Sequence, residues 1–154
     1  MTIRTAAASD AEALSELVGS LAHFYLQEPV DPEGSQRPLP EWFAETITVT
    51  AFEVRISDPD YLNLVNEQAG KIVGYISVKQ RSHLYHLFVA EYAHGQGIAR
   101  LLWNSVLERQ PLVSQYSLRS SLFAVPVYQK LGFQINGEAG MKDGIGFQPM
   151  VFGR

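Results

Sequence analysis

The chain has 154 residues, a formal charge of −4 and no cysteine. Its length suits a single domain, residues 1–154, with a substantial core. The composition excludes disulfides, thiolate nucleophiles and Cys-ligated zinc, offers no basic tract for nucleic acid, and contains no apolar run near the ~20 residues of a membrane helix.

Met1-Thr2-Ile3-Arg4 begins no signal-type apolar stretch, so a cytoplasmic protein is expected. Thr2 to Thr5 predicts a short strand. Asp10 then caps a helix whose stripe is Ala13, Leu14, Leu17, Val18 and Leu21. Residues 28–40 carry Pro29, Pro32, Pro38, Pro40 and Gly34, which predicts a loop. Trp42 to Val54 has helical spacing and ends before Ser57-Asp58-Pro59-Asp60. Tyr61 to Glu67 and Lys71 to Lys79 predict two strands of a hairpin, and Ser82 to Val89 a third. Ala99 to Arg109 predicts a helix, Tyr116 to Leu118 a brief strand, and Phe123 to Leu131 a short helix ended by Gly132. Phe133 to Asn136 and Phe147 to Phe152 predict a closing strand pair, with Glu138 to Gly146 a surface loop between them. The order describes a mixed α/β domain. Exposed strand edges at its C-terminus allow a homodimer as well as a monomer.

One stretch carries chemistry. His94-Gly95-Gln96-Gly97-Ile98-Ala99 follows the apolar strand Leu84 to Val89 and opens a helix. Free N–H groups and a positive dipole at a helix start suit an anion, and two glycines let a bulky phosphate come close. A nucleotide-hydrolysing loop needs Lys and then Ser or Thr after its glycines, but Ile98 and Ala99 stand there. A dinucleotide fold wants this turn early in a βαβ unit, with an acidic residue ~20 positions later. Here the turn comes at mid-chain, and Gln115 occupies that region.

Together with Val127-Tyr128-Gln129-Lys130-Leu131-Gly132-Phe133, the glycine turn resembles the GCN5-related N-acetyltransferase superfamily along nearly the whole chain. The resemblance implies a mostly antiparallel twisted sheet flanked by helices, with two central strands splayed apart. It departs at His94, where relatives carry Arg or Gln, and at Arg119, where relatives often have Asn.

The resemblance implies acetyl-CoA as cofactor and a primary amine as acceptor. The backbone of Leu87, Phe88 and Val89 would pair with the pantetheine arm, and an N–H there would face the thioester oxygen. The diphosphate would lie on N–H groups of the turn spanning His94, Gly95, Gln96, Gly97, Ile98, Ala99 and Arg100. The side chain of Arg100 would assist if it points back to the turn. Tyr128 would protonate the leaving sulfur, since a phenol of pKa ~10 holds its proton at neutral pH.

For the general base the candidates are His83 and His86. Strict alternation puts His83 with Tyr85 on one face and His86 on the other. The same divergence argues against a shared metal, and no His-Glu-x-x-His pattern occurs. His23, Phe24 and Tyr25 with the 28–40 loop would line the acceptor pocket, and acidic Glu28, Asp31 and Glu33 suit a cationic amine. A small acceptor is expected over a protein. The alternative function is an acyl-CoA-binding module without catalysis.

Overall fold

The computed structural model describes residues 1–22, 41–142 and 145–154. His23, Phe24, Tyr25 and the 28–40 loop lie outside the described residues.

Among the described residues eight strands form one sheet: β1 (Thr2–Thr5), β2 (Tyr61–Gln68), β3 (Lys71–Lys79), β4 (His83–Val89), β5 (Gln115–Ser121), β6 (Gln134–Ile135), β7 (Gly140–Lys142) and β8 (Ile145–Gly153). Their spatial order is β1-β2-β3-β4-β5-β8-β6, with β7 also on β8. Every pairing is antiparallel except β4 with β5. The helices are α1 (Ala11–Leu21), α2 (Glu41–Thr46), α3 (Val49–Ser57), α4 (Ile98–Arg109) and α5 (Val125–Lys130).

The two faces of the sheet follow from β3. A Cβ on Gly74 would stand 2.9 Å from Ile98 Cγ2 and 3.0 Å from Leu102 Cδ1, so α4 lies directly on this position. Tyr75, the next residue, points the other way, where its ring meets Phe52 of α3 at 5.6 Å. Helix α4 therefore covers one face and α3 the other. On the α4 face, Trp103 packs its ring against Tyr116 at 4.8 Å and against Phe133 and Phe152, each at 5.1 Å.

Local chemistry moved several predicted boundaries. The helix expected over Trp42 to Val54 is two helices, because Thr48 stops to cap the second one, its hydroxyl accepting from Ala51 N–H at 3.1 Å. Asp10 makes no side-chain cap on α1. Its carboxylate accepts from Ala7 N–H at 2.7 Å and pairs with Arg4 at 2.8 Å instead. Strand β5 runs to Ser121, since Tyr116, Leu118 and Ser120 alternate inward along a full ladder with β8. The expected loop over Glu138 to Gly146 contains strand β7. A Cβ on Gly140 would fall 2.6 Å from the Phe147 ring, so glycine is what permits this pairing.

Gly74→Val should cost about 1–3 kcal/mol by overpacking the sheet–α4 contact. Urea unfolding should show a lower midpoint with an unchanged slope.

Candidate active site

Strands β4 and β5 touch at one end only. His83 pairs with Ser117, Ser117 N–H donates to Ser82 O at 2.8 Å, and the strands share no further register. On its other side β4 stays paired with β3 as far as Val89 opposite Gly74. Among the described residues, the β4 edge beyond His83 therefore lacks a neighbouring strand and leaves backbone groups open to a ligand. This is the splay that the resemblance implied.

A cleft of about 320 Å³ occupies the opening. Leu87, Phe88, Val89, His94, Gly95, Gly97, Ile98, Ala99 and Tyr128 all line it, so both predicted motifs meet at one cavity. Leu21, Ala93, Ser121, Phe123, Ala124 and Val127 complete the wall. These six were not legible as site residues, because each looks like an ordinary core or loop position. All but Ser121 are apolar, which suits a largely hydrophobic arm rather than a charged one.

The turn entering α4 has the geometry of an anion socket. Gly95 and Gly97 adopt φ of +82° and +74°, a region that side chains with a Cβ rarely occupy. Leu101 N–H is bonded to Gly97 O at 3.0 Å, which leaves the N–H groups of Ile98, Ala99 and Arg100 at the helix start without intrahelical acceptors. The His94 ring lies with Nε2 2.8 Å from Val89 O, tying the turn to the end of β4. Gln96 is exposed and does not line the cleft.

Arg100 departs from its expected role. Its guanidinium does not turn back toward the glycines; Nη2 donates to Lys130 O at the end of α5. The side chain thus straps the phosphate-type helix to the helix that carries Tyr128. Helix α5 begins on Val125-Pro126, and Tyr128 O accepts from Leu131 N–H and Phe133 N–H, each at 3.0 Å. Gly132, at φ +103°, makes the reversal possible. Tyr128 is 8% exposed and packs edge-on against Phe133. Burial pushes its phenol well above the ordinary value, so it is protonated throughout the working range.

The histidines do not sit as alternation predicts. Ser77 pairs with His86 and Val78 with Leu84, so Tyr85 is an extra residue in a β-bulge. His83 is opposite Lys79 and His86 is opposite Ser77; those two partners lie two apart on β3, so both histidines share the α3 face. Neither lines the cleft. His83 is half-buried at the closed end of the splay, Nδ1 3.1 Å from Ser117 Oγ. Burial, then Arg119 and Lys79, push its pKa below 6.5. His86 is enclosed by Tyr85, Phe88, Tyr75 and Phe52, with its Nδ1 unpartnered, and burial holds its pKa well below 6.5. Among the described residues no group of three or more His, Asp or Glu could hold a metal ion.

The description "Acetyltransferase (GNAT) domain" matches residues 25–153. The chain belongs to the GNAT acetyltransferase family. Peptidyl-lysine N-acetyltransferase YiaC of Escherichia coli (strain K12) is 33% identical over 73 residues, 47% of this chain and 50% of that protein. The match thus spans about half the length of that curated relative. Among solved structures, the PaiA N-acetyltransferase from Thermoplasma acidophilum in complex with coenzyme A superposes with a TM-score of 0.77 at 19% identity, covering 99% of this chain and 98% of that one. Ribosomal-protein-alanine N-acetyltransferase from Brucella melitensis gives 0.69 at 22% identity, covering 100% of both chains. At these identities the structural likeness establishes a GNAT fold, one that in the PaiA complex binds coenzyme A.

The buried His86 makes stability depend on pH. Unfolding restores it to 6.5, so below that pH the unfolded chain binds a proton that the folded chain refuses. Stability should therefore fall as pH drops through 6.5, by up to about 1.4 kcal/mol per unit for this group. His86→Phe, which suits the aromatic surroundings, should flatten the slope that denaturant titrations measure below pH 6.5.

Proposed function

We propose that the protein is an acetyl-CoA-dependent N-acetyltransferase that passes the acetyl group directly to a primary amine on a small molecule. The observation that carries this reading is that Tyr128 and the glycine turn of α4 line one cleft, beside a strand edge left free for pairing. A binding module would need the socket and the free edge, but not a buried phenol between them.

Bound acetyl-CoA supplies an activated acetyl thioester. The N–H groups of Gly95 to Arg100 hold the diphosphate, and the positive end of α4 favours its charge. Backbone groups of Leu87, Phe88 and Val89 hold the pantetheine arm. An N–H on this strand opposes the negative charge that grows on the thioester oxygen, an effect worth a few kcal/mol when the donor is fixed in place. The amine approaches from the α3 side of the splay. Its nitrogen bonds to the acetyl carbon as the carbon–sulfur bond breaks. His83, neutral at pH 7 and set back from the cleft, takes the proton that the amine loses by way of water. Tyr128 gives its proton to the departing sulfur.

His86 is assigned to packing, not to proton transfer. An imidazole closed in by four aromatic rings and pushed far below its ordinary pKa is too weak a base for an ammonium. His94 is assigned to holding the turn against Val89.

Titration with acetyl-CoA should show saturable binding, and a panel of primary amines should accelerate thiol release. If binding saturates but no amine accelerates release, the transferase reading fails. Tyr128→Phe should lower kcat by about 10²-fold or more while leaving cofactor affinity nearly unchanged.

A second prediction concerns His83. The wild-type kcat/KM should fall on the acid side below 6.5, where the imidazole becomes protonated. His83→Gln should lower the plateau and remove that acid limb. An unaltered limb would remove His83 from the mechanism.

A further inference from the structure

The chain is acidic overall, yet the face from which the amine would approach is basic. Lys79 is directly across from His83 on β3, and Arg119 follows two residues after His83's other partner, Ser117. Alternation therefore places all three side chains on one face. Arg119 is exposed and its guanidinium carbon stands 5.2 Å from the Phe147 ring centroid. The Lys79 ammonium stands 5.9 Å from the Tyr61 ring. Tyr61 in turn meets Tyr85 edge-on at 5.7 Å.

Beneath Tyr85 lies a third cation. Arg55 is 7% exposed, its guanidinium 4.6 Å from the Phe52 ring and 5.4 Å from the Tyr85 ring. One of its N–H groups donates to Thr46 O, but Nε has no acceptor. Among the described residues the ion pairs all involve Arg4, so none of Arg55, Lys79 and Arg119 pairs with a carboxylate there. A nearly buried guanidinium that pairs with no carboxylate of the described residues is costly. Retaining it beside two further cations makes sense where an anion arrives with the substrate. The downward push on both histidines carries the same sign, since among the described residues the charged contributors to each are cations: Arg119 and Lys79 for His83, and Arg55 for His86.

We propose that this face recognises a carboxylate, so that the acceptor is a small amine that also carries a carboxylate, as an amino acid does. The proposal rests on the acetyltransferase reading and names its acceptor class. Arg119 and Lys79 make the contact, Arg119 through the flat fork that matches a carboxylate. Arg55 stays below, adding positive potential through the Tyr85 layer. Polyamines and other cationic amines meet repulsion here, which reverses the preference suggested by the acidic residues of the 28–40 stretch.

Matched acceptors test it: free amino acids, the same amino acids as carboxamides, and a diamine of similar length, each with acetyl-CoA and read by thiol release. Wild type should favour the carboxylate member over its amide by at least about tenfold in kcat/KM. Arg119→Gln should collapse that ratio toward one, mainly by raising KM for the carboxylate. Arg119→Lys should keep part of it, and Lys79→Gln should reduce it further in combination. Transfer that favours the amide or the diamine, or a ratio untouched by Arg119→Gln, overturns the carboxylate assignment and leaves the transferase reading standing. Saturable acetyl-CoA binding with no acceleration by any amine overturns both.

Discussion

The lone meeting of β4 with β5, at His83 and Ser117, decides where everything else goes. A sheet that stayed zipped along both strands would satisfy its backbone internally and leave no cleft. Here β4 is held in place by β3, with a ladder reaching Val89, while its other edge loses its partner after the first residue. Backbone groups in such a position need acceptors and donors from elsewhere. A ligand bearing amides along an apolar arm meets that need, and the apolar wall from Leu87 to Val127 fits the rest of the arm. In the proposed reading the opening is both the binding surface and the reason that binding is favourable.

Two further constraints bring the ends of the cleft into register. Gly74 lets α4 settle directly on β3, which puts the glycine turn at the mouth of the opening. Helix α5 has only six residues, too few to be stable by its own hydrogen bonds. It is held by Tyr128 and Phe133 packing, by the reversal at Gly132, and by Arg100 reaching from the first turn of α4. The anion-type socket and the buried phenol are therefore joined by a side chain, not only by the sheet between them. A cationic residue at the third position of α4 would naturally be assigned to the phosphate; its bond to Lys130 O makes it a brace instead.

Most of the architecture was legible because its signals are local. A strand run following a hairpin turn marked β3 at its observed bounds, and the glycines with a following apolar stripe marked α4 to within a residue. The two motifs also marked nine of the residues that line the cleft, though not the six that complete its wall. What escaped depends on a neighbour. Strand β7 exists because Phe147 lies over a glycine, which no window around Gly140 reveals. The division of α2 from α3 turned on one threonine choosing to cap. The facing of the histidines turned on a bulge set by β3, across the ladder. Read as a regular strand, His83 and His86 part company; with Tyr85 inserted as the extra residue, they stand together on the α3 face. The 28–40 stretch, expected to shape the acceptor pocket, lies outside the described residues.

Burial is one physical cause that prepares two opposite roles. Withdrawal from water disfavours charge on any group. For Tyr128 the charged form is the anion, so burial strengthens its hold on the proton. For His83 the charged form is the cation, so the same effect, aided by Arg119 and Lys79, releases the proton and exposes a lone pair. Both side chains are neutral at pH 7, one with a proton to give and the other with room to take one. In the proposed transfer that is the pairing required, since the amine must lose a proton while the sulfur gains one. The cations serve twice in this scheme. They keep His83 unprotonated on the approach side, and they attract a carboxylate whose arrival offsets part of their own field. A carboxylated acceptor would therefore raise the basicity of His83 as it binds, strengthening the base when its substrate is in place.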